Sequence, residues 1–294
     1  MEKPVDSMSV HRTLGTDARR WLSAARIVLV APSHPGNIGS TARAMATMGL
    51  SDLTVVAPRF ADFREHEQAR AFAGHGLDRL AQAGMAATLE AALADCQLVV
   101  GVSAEAREFG PPPRRPGPVV REAFAWLDSG RATRVAFVFG TERTGLSIRE
   151  AGLCQRLISI PADPERSSLN LAQAVQIIAF SLREAALELE ERKESDAAPQ
   201  VAPSGTPAGE MLAGHAAIEG FYRHLERAMV ACGFLDPAMP KRLMPRMRRL
   251  FGRTGLEIEE VDLLRGFCTR IERTAAGLPG RRSRPGADRG APRE

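Results

Sequence analysis

Residues 26–45 of the 294-residue chain read RIVLVAPSHPGNIGSTARAM, an apolar β-branched run followed by glycines and an Ala/Met-rich stretch. This order predicts a buried strand, a tight loop and a helix, the unit from which parallel α/β sheets are built. Ile38, Ala42, Met45 and Met48 recur at helical spacing and would pack on the sheet, which lets Arg43 point out at the cleft at the strand ends. The loop has neither the Lys-Ser/Thr pair of a P-loop nor a GxGxxG fingerprint, so it is not an ordinary nucleotide loop.

The same alternation of strand and helix continues to about residue 190 and predicts an α/β domain with a mostly parallel sheet. The predicted strands are short and apolar: Arg26–Ala31, Leu53–Ala57, Gln97–Val102, Arg134–Phe139 and Arg156–Ile160. The predicted helices are Gly39–Met48, about 66–82, Thr88–Ala94 and about 168–191. Between them, the segment Pro111–Pro118 (PPPRRPGP) predicts an exposed loop.

Changes in composition predict five segments along the chain. They are a disordered extension at 1–20, the α/β domain at 21–192, a flexible Pro/Gly/Ala-rich linker at 193–212, a small all-helical domain at 213–278 and a disordered basic tail at 279–294. The predicted helices of the small domain are Ala213–Cys232, Pro240–Phe251 and Glu257–Ala275.

The bulk composition excludes several classes of protein. With 44% hydrophobic and 25% charged residues, the chain has an ordinary globular composition, and no apolar run is long enough to span a membrane. Its four cysteines and six histidines are scattered, which predicts reduced thiols in a cytoplasmic protein and no metal site. The net charge of +4 permits a polyanionic partner without requiring one.

Two further loops follow predicted strands, at the end of the sheet where open α/β folds bind ligands. In Phe139–Leu146 (FGTERTGL), Gly140 and Gly145 allow a ligand close to the backbone, and Glu142 lies between them. The residues alone leave open whether this Glu is functional or merely solvated.

The third loop is Ile160–Leu171 (IPADPERSSLNL), and it opens the longest predicted helix. Ser167 or Ser168 would cap that helix, and Asn170 lies off its buried stripe. A similar alternative holds for Asn37 in the first loop, which either caps its helix or belongs to a site.

The segment 241–253 (KRLMPRMRRLFGR) has six basic residues and no acidic one. A solvated helix face is the alternative, but this density of like charge favours contact with phosphates. Because the chain has a single tyrosine and few aromatic residues, recognition of folded RNA by shape and backbone fits better than base stacking. The predicted RNA-binding residues are Lys241, Arg242, Arg246, Arg248, Arg249 and Arg253.

Together the three loops resemble the SpoU/TrmH-type branch of the SPOUT methyltransferases, which methylate RNA ribose 2′-hydroxyls. The first family motif is matched by Asn37, Gly39, Arg43 and Gly49, the second by Phe139, Gly140, Glu142, Gly145 and Leu146, and the third by residues 167–171. The resemblance covers about 24–185 and continues through 221–233 and 247–251, which points to tRNA-modifying members of the branch. It implies the SPOUT fold with its C-terminal trefoil knot, bound S-adenosylmethionine, and a homodimer with the active site at the interface.

The resemblance also implies roles for individual residues. The implied cofactor contacts are Val102, Ser103, Ala104, Gly140, Gly145, Leu146, Ile160, Ser167, Ser168 and Leu169. The implied catalytic residues are Arg43, Asn37, Glu142, Ser168 and Asn170. Arg43 would orient the RNA phosphate, and the family also assigns it a role as base. Because arginine stays protonated in proteins, we favour positioning over proton abstraction.

We therefore expect a cytoplasmic S-adenosylmethionine-dependent tRNA 2′-O-ribose methyltransferase acting on cytidine or uridine at anticodon-loop position 32. The alternatives are an rRNA ribose methyltransferase and an RNA-binding protein that has lost catalysis. An NAD(P)-dependent enzyme fits less well, because the second strand ends in Ala57-Pro58-Arg59 rather than at an acidic residue, and no GxGxxG accompanies it.

Overall fold

The computed structural model describes residues 13–103, 110–196 and 211–278. In these residues, parallel strands form one seven-stranded sheet in the order β3-β2-β1-β6-β4-β7-β5. The strands are β1 (Ala25–Val30), β2 (Asp52–Val56), β3 (Gly84–Ala86), β4 (Leu98–Val102), β5 (Pro113–Arg114), β6 (Val135–Phe139) and β7 (Arg156–Ile158).

The helices are α1 (Thr16–Ser23), α2 (Pro35–Met48), α3 (Glu67–Ala73), α4 (Leu77–Gln82), α5 (Leu89–Leu93), α6 (Pro116–Asp128), α7 (Ile148–Ala151), α8 (Leu171–Asp196), α9 (His215–Ala231), α10 (Leu243–Phe251) and α11 (Ile258–Ala275). A single 3₁₀ turn, Gly74–Gly76, joins α3 to α4. Among the described residues, no helix combines the length and the apolar character needed to cross a membrane.

The central strands are buried on both faces of the sheet, which explains why they read as continuous apolar runs. One face is covered by a large core that includes residues of α1, α2, α6 and α8, such as Trp21, Met45 and Phe124. The other face has a smaller core to which the short helices α5 and α7 contribute. This second face is the one on which α9 also packs, against α5.

The predicted α/β class with a parallel sheet is confirmed. All five predicted strands are present, and each end lies within two residues of its predicted position. The strands β3 and β5 were not predicted, because stretches of three and two residues carry no measurable periodicity.

The prediction that Pro111–Pro118 is only an exposed loop is wrong. Pro113 and Arg114 pair with β7 as an edge strand, and Pro116 begins α6, a helix that the sequence reading missed. Proline fits the first turn of a helix because the N–H that it lacks has no partner there. A Pro-rich segment therefore marked a helix start rather than a long connection.

The predicted disorder of residues 1–20 is also wrong from Thr16 onward, where α1 begins; residues 1–12 lie outside the described part of the chain. The backbone N–H groups of Gly15 and Ala18 donate to the Glu190 carboxylate of α8, at 3.0 and 3.3 Å. Trp21 is fully buried and packs against Phe124. A carboxylate 170 or more residues away in sequence thus caps α1, which no local pattern reveals.

The three predicted helices of the C-terminal unit are present as α9, α10 and α11, around a core centred on Phe221. The unit docks beside the sheet, where the N–H of His215 donates to the carbonyl of Cys96 at 2.8 Å. The long helix α8 runs to Asp196, five residues beyond its predicted end and into the predicted linker. The rest of that linker to residue 210 and the predicted basic tail lie outside the described residues.

Candidate functional site

A cleft of about 440 Å³ opens at the carboxyl ends of β4 and β6. We call it the strand-end cleft. Its lining residues are Val102, Ser103, Phe139, Gly140, Thr141, Glu142, Arg143, Thr144, Gly145, Ile160, Ser167, Ser168, Leu169, Leu171 and Ala174. The second and third loops predicted from the sequence therefore meet in one cavity, at the end of the sheet where α/β folds bind ligands.

The loop after β6 needs its two glycines for physical reasons. A Cβ at Gly140 would lie 2.1 Å from the carbonyl carbon of Gly145 and 2.2 Å from the nitrogen of Leu146. Gly145 has a φ of +63°, and its backbone exchanges two hydrogen bonds with that of Thr141. The loop thus folds back tightly on itself and presents backbone to the cleft.

Glu142 connects this loop to the one after β1. Its carboxylate accepts hydrogen bonds from the N–H of Ser33 at 3.0 Å, the N–H of His34 at 3.2 Å and the side-chain amide of Asn37 at 3.0 Å. Burial raises the pKa of Glu142, but the hydrogen bonds from Ser33 and Asn37 outweigh it and leave the pKa below its usual range. The carboxylate is therefore charged and fixed in position.

Asn170 extends this network to the third loop. Its side-chain amide donates to Oδ1 of Asn37 at 2.9 Å, while its own Oδ1 accepts from the N–H groups of Ala172 and Gln173 at 2.9 and 3.3 Å. The chain Asn170–Asn37–Glu142 thus joins all three loops, and we call it the polar relay. Each side chain in it is oriented by its neighbour.

The structure answers two questions that the sequence left open. Asn37 does not cap α2, because Pro35 occupies the first turn and His34 precedes it; Asn37 belongs instead to the polar relay. The prediction that Ser167 or Ser168 caps α8 is wrong. The helix begins at Leu171, and the side chain of Asn170 caps it by accepting from the N–H groups of its first turn. Both serines line the cleft instead.

Arg43 lies apart from the polar relay. It is exposed on α2, six residues after Asn37 and so about 9 Å further along the helix. Its side chain runs past Gly74, with Cδ 3.9 Å from where a Cβ on that glycine would be. Within the described ranges it makes no ion pair, and it does not line the strand-end cleft.

Most predicted cofactor residues line the strand-end cleft. These are Val102, Ser103, Gly140, Gly145, Ile160, Ser167, Ser168 and Leu169. The side chain of Leu146 does not, because it is buried in the core close to Gly101, and Ala104 lies outside the described residues. Sequence reasoning missed Ser33 and His34, which act through backbone amides that carry no residue-type signal.

The predicted basic residues of 241–253 differ in their surroundings. The guanidinium of Arg248 pairs bidentately with Glu219, at 2.7 Å for one of the two contacts, and stacks over the ring of Tyr222 at 4.5 Å. Arg248 therefore holds α10 against α9 instead of pointing into solvent. Lys241, Arg242, Arg246, Arg249 and Arg253 are exposed.

Comparisons with known proteins agree with this architecture. The SpoU rRNA methylase family matches residues 24–180, and the C-terminal domain of the tRNA methyltransferase TrmJ matches residues 216–280. The tRNA (cytidine/uridine/adenosine-2′-O-)-methyltransferase TrmJ of Pseudomonas aeruginosa is 39% identical over 89% of this chain and 99% of its own length. The tRNA (cytidine/uridine-2′-O-)-methyltransferase TrmJ of Yersinia enterocolitica is 41% identical over 84% of this chain and 91% of its own.

Among solved structures, TrmJ from Z. mobilis ZM4 is similar, with a TM-score of 0.69 and 29% identity. The similarity covers 85% of this chain and all of that one. The resemblance drawn from the three loops is thereby confirmed, and it extends through the helical unit.

Proposed function

The chain belongs to the SpoU methylase family, and we propose that it is an S-adenosylmethionine-dependent tRNA 2′-O-ribose methyltransferase. The observation that carries this proposal is the junction of a glycine-built cleft with the polar relay at the carboxyl ends of the strands. Relatives that match most of the chain are named as tRNA methyltransferases, and this supports tRNA as the substrate. Within tRNA, cytidine or uridine at anticodon-loop position 32 is the proposed target, and the cytoplasm the proposed location.

The residues of the strand-end cleft suit S-adenosylmethionine. Val102, Ile160 and Leu169 offer apolar surface for an adenine ring, while Ser167, Ser168 and the loop backbone offer hydrogen-bonding groups. The volume falls in the range of small-molecule sites. When bound, the cofactor supplies an electrophilic methyl group. The deep trefoil knot that would bend the cofactor remains part of the proposal.

The polar relay is proposed to position the ribose. The amides of Asn37 and Asn170 are fixed beside the cleft and can hold a sugar hydroxyl in one orientation, and such positioning supplies much of the rate of a group transfer. Glu142 is charged and already accepts from four donors, namely the N–H and hydroxyl of Ser33, the N–H of His34 and the amide of Asn37, so its proposed role is to orient Asn37. Ser168 lines the cleft next to Asn170 and completes the proposed catalytic set.

Arg43 enters this proposal through a homodimer. It is exposed on a helix whose neighbours α3, α4 and α8 expose Phe72, Leu77 and Phe180. We propose that a second copy packs on this side of the molecule and places Arg43 in a site shared by the two protomers. There its permanent charge would hold an RNA phosphate.

The C-terminal helical unit is proposed as the tRNA-binding domain, with the boundaries 213–278. Its exposed basic residues around α10 support this role, since phosphate contacts dominate the affinity of nucleic-acid complexes. A second candidate is an rRNA ribose methyltransferase, which the description of the matching family favours. An RNA-binding protein without catalysis is disfavoured by the complete polar relay.

The test is to incubate the full chain with methyl-labelled S-adenosylmethionine and, separately, tRNA and rRNA transcripts. We expect label in tRNA and none in rRNA. Label in rRNA alone would favour the second candidate, and calorimetry without S-adenosylmethionine binding would favour the inactive RNA-binding protein. The variant Arg43→Ala is expected to lose methyl transfer while keeping cofactor binding.

A further inference from the structure

A second cavity, of about 500 Å³, lies between α10 and the edge of the sheet. We propose that this basic pocket binds one unstacked nucleotide of the RNA substrate, with the base against an apolar floor and the phosphates on a rim of arginines. The proposal rests on the proposed function in that RNA is taken as the substrate. It assigns part of the basic segment 241–253 to a pocket that is separate from the strand-end cleft.

The rim of the basic pocket has an excess of positive charge. Six arginines and two glutamates line the cavity, namely Arg149, Arg223, Arg242, Arg248, Arg249, Arg253, Glu90 and Glu219. Arg149 pairs with Glu90 at 2.8 Å and Arg248 with Glu219, so both glutamates are paired and the six arginines that line the pocket outnumber them. Such an excess attracts an anion rather than a neutral ligand.

Three of these arginines have no partner in the described parts of the chain. Arg223, Arg249 and Arg253 are exposed, and none of them donates a side-chain hydrogen bond or forms an ion pair there. Guanidinium groups bind phosphate oxygens with two parallel hydrogen bonds. The rim thus has unused donors of the type that phosphates need.

The floor of the basic pocket is apolar. Ile148 lines it with 67% of its surface exposed, and Pro111, Pro112, Leu153 and Cys154 line it with Ile148. Burial raises the pKa of the Cys154 thiol to about 12, so this side chain adds no charge. An apolar floor beneath a cationic rim suits a ligand that joins a flat base to a phosphate. A bare phosphate chain would contact the arginines and leave the apolar floor uncovered.

The backbone at the rim is strained. Lys241 and Arg242 are consecutive non-glycine residues with φ of +43° and +59°, a left-handed conformation that L side chains rarely adopt. Such strain concentrates at ligand sites, where it fixes the direction of a side chain. Here it ends immediately before α10, and Arg242 lines the pocket.

The nucleotide in the basic pocket is a different one from the nucleotide that would be methylated. Gln155 lines the basic pocket and Ile160 the strand-end cleft, and β7 runs between them. Five extended residues span about 16 Å, so the pocket is a separate contact that the RNA makes further along its chain.

The experiment measures the affinity of the full chain for a tRNA transcript at several salt concentrations, without cofactor. For the double variant Arg249→Ala/Arg253→Ala, we expect a Kd raised about tenfold or more and a salt slope reduced by about 1.5. Arg270→Ala is the matched control, because Arg270 is an exposed arginine of the same helical unit outside the pocket. For Ile148→Ala we expect a Kd raised about fivefold with an unchanged slope, because only base contact is lost.

Two results would overturn the proposal. If Arg249→Ala/Arg253→Ala binds tRNA no more weakly than Arg270→Ala, the rim does not hold phosphate. If Ile148→Ala binds like the wild type, no base occupies the floor. Thermal unfolding of each variant checks that it is folded. The binding assay needs no turnover, so absence of methyl transfer would refute the proposed function and leave the basic pocket to be judged on affinity alone.

Discussion

The strand-end cleft and the basic pocket are similar in size but opposite in construction. In the cleft, the carboxylate of Glu142 already accepts hydrogen bonds from Ser33, His34 and Asn37. In the pocket, Arg223, Arg249 and Arg253 have no side-chain partner among the residues that the structure describes. A site whose groups hold one another in place is suited to orienting a reaction, and a site with unused charge is suited to affinity. Changes in the cleft should therefore lower kcat, and changes in the pocket should raise Kd.

The largest expected effect comes from Gly140→Ala. Its Cβ would overlap the backbone of Gly145, so the loop must open, and we expect loss of S-adenosylmethionine binding with a free energy of unfolding lowered by more than about 2 kcal/mol. Calorimetry and chemical denaturation measure the two effects.

The matched control for Gly140→Ala is Gly220→Ala on α9, where a Cβ meets nothing within 4 Å. This change should raise stability by up to about 1 kcal/mol through helix propensity. Unchanged cofactor affinity in Gly140→Ala would show that the loop does not shape the cleft.

The next effect is that of Glu142→Gln, which removes the charge but keeps the size. Because the relay loses its anchor, we expect kcat for methyl transfer to fall about 10- to 100-fold with little change in Kd for tRNA. The pKa of Glu142 is lowered in the folded state, so its contribution to stability is full above the ordinary value of 4.5 and is lost as the pH falls through the folded value. Acid unfolding should show this loss in the wild type and not in the variant. If Glu142→Gln raises the Kd for tRNA and leaves kcat unchanged, the cleft serves affinity, and the contrast with the basic pocket is wrong.

Asn170 allows its two contacts to be separated. Asn170→Ala removes the cap of α8 and should lower the free energy of unfolding by about 1 kcal/mol. Asn170→Asp keeps a capping oxygen but cannot donate to Asn37, so it should retain stability and lose methyl transfer. If Asn170→Asp transfers methyl groups as fast as the wild type, the hydrogen bond from Asn170 to Asn37 has no role in the reaction, and the polar relay is not part of the mechanism.

The smallest expected effect concerns His215, which lies where the helical unit meets the sheet. Burial lowers its pKa, and the nearby carboxylates of Glu219 and Glu90 only partly oppose this. A neutral buried histidine stabilises the fold fully above the unfolded value of about 6.5, and this stability is lost as the pH falls from there towards the folded pKa. His215→Gln should flatten the pH dependence of stability below about pH 6.5, as measured by thermal unfolding. A variant as pH-dependent as the wild type would contradict this.

The sequence allowed prediction of the central strands and most of the cleft, because motif residues follow apolar runs at fixed positions. It did not allow prediction of α1, whose cap is the distant Glu190, or of α6, whose start at Pro116 reads as a loop. The expectation that Arg43 points at the strand-end cleft was wrong for a related reason. Motif spacing does not show that six helical residues place Arg43 about 9 Å further along α2 than Asn37, outside the cleft lining.

The most direct test locates the methyl group that the enzyme transfers. A tRNA transcript incubated with the full chain and S-adenosylmethionine is cut by a ribonuclease into oligonucleotides, in which tandem mass spectrometry identifies the methylated nucleotide and its position, with Glu142→Gln in parallel. We expect one 2′-O-methylated pyrimidine nucleoside at anticodon-loop position 32, strongly reduced for the variant. A methyl group on a base, or a ribose product undiminished in Glu142→Gln, would contradict the assignment of the polar relay to the ribose.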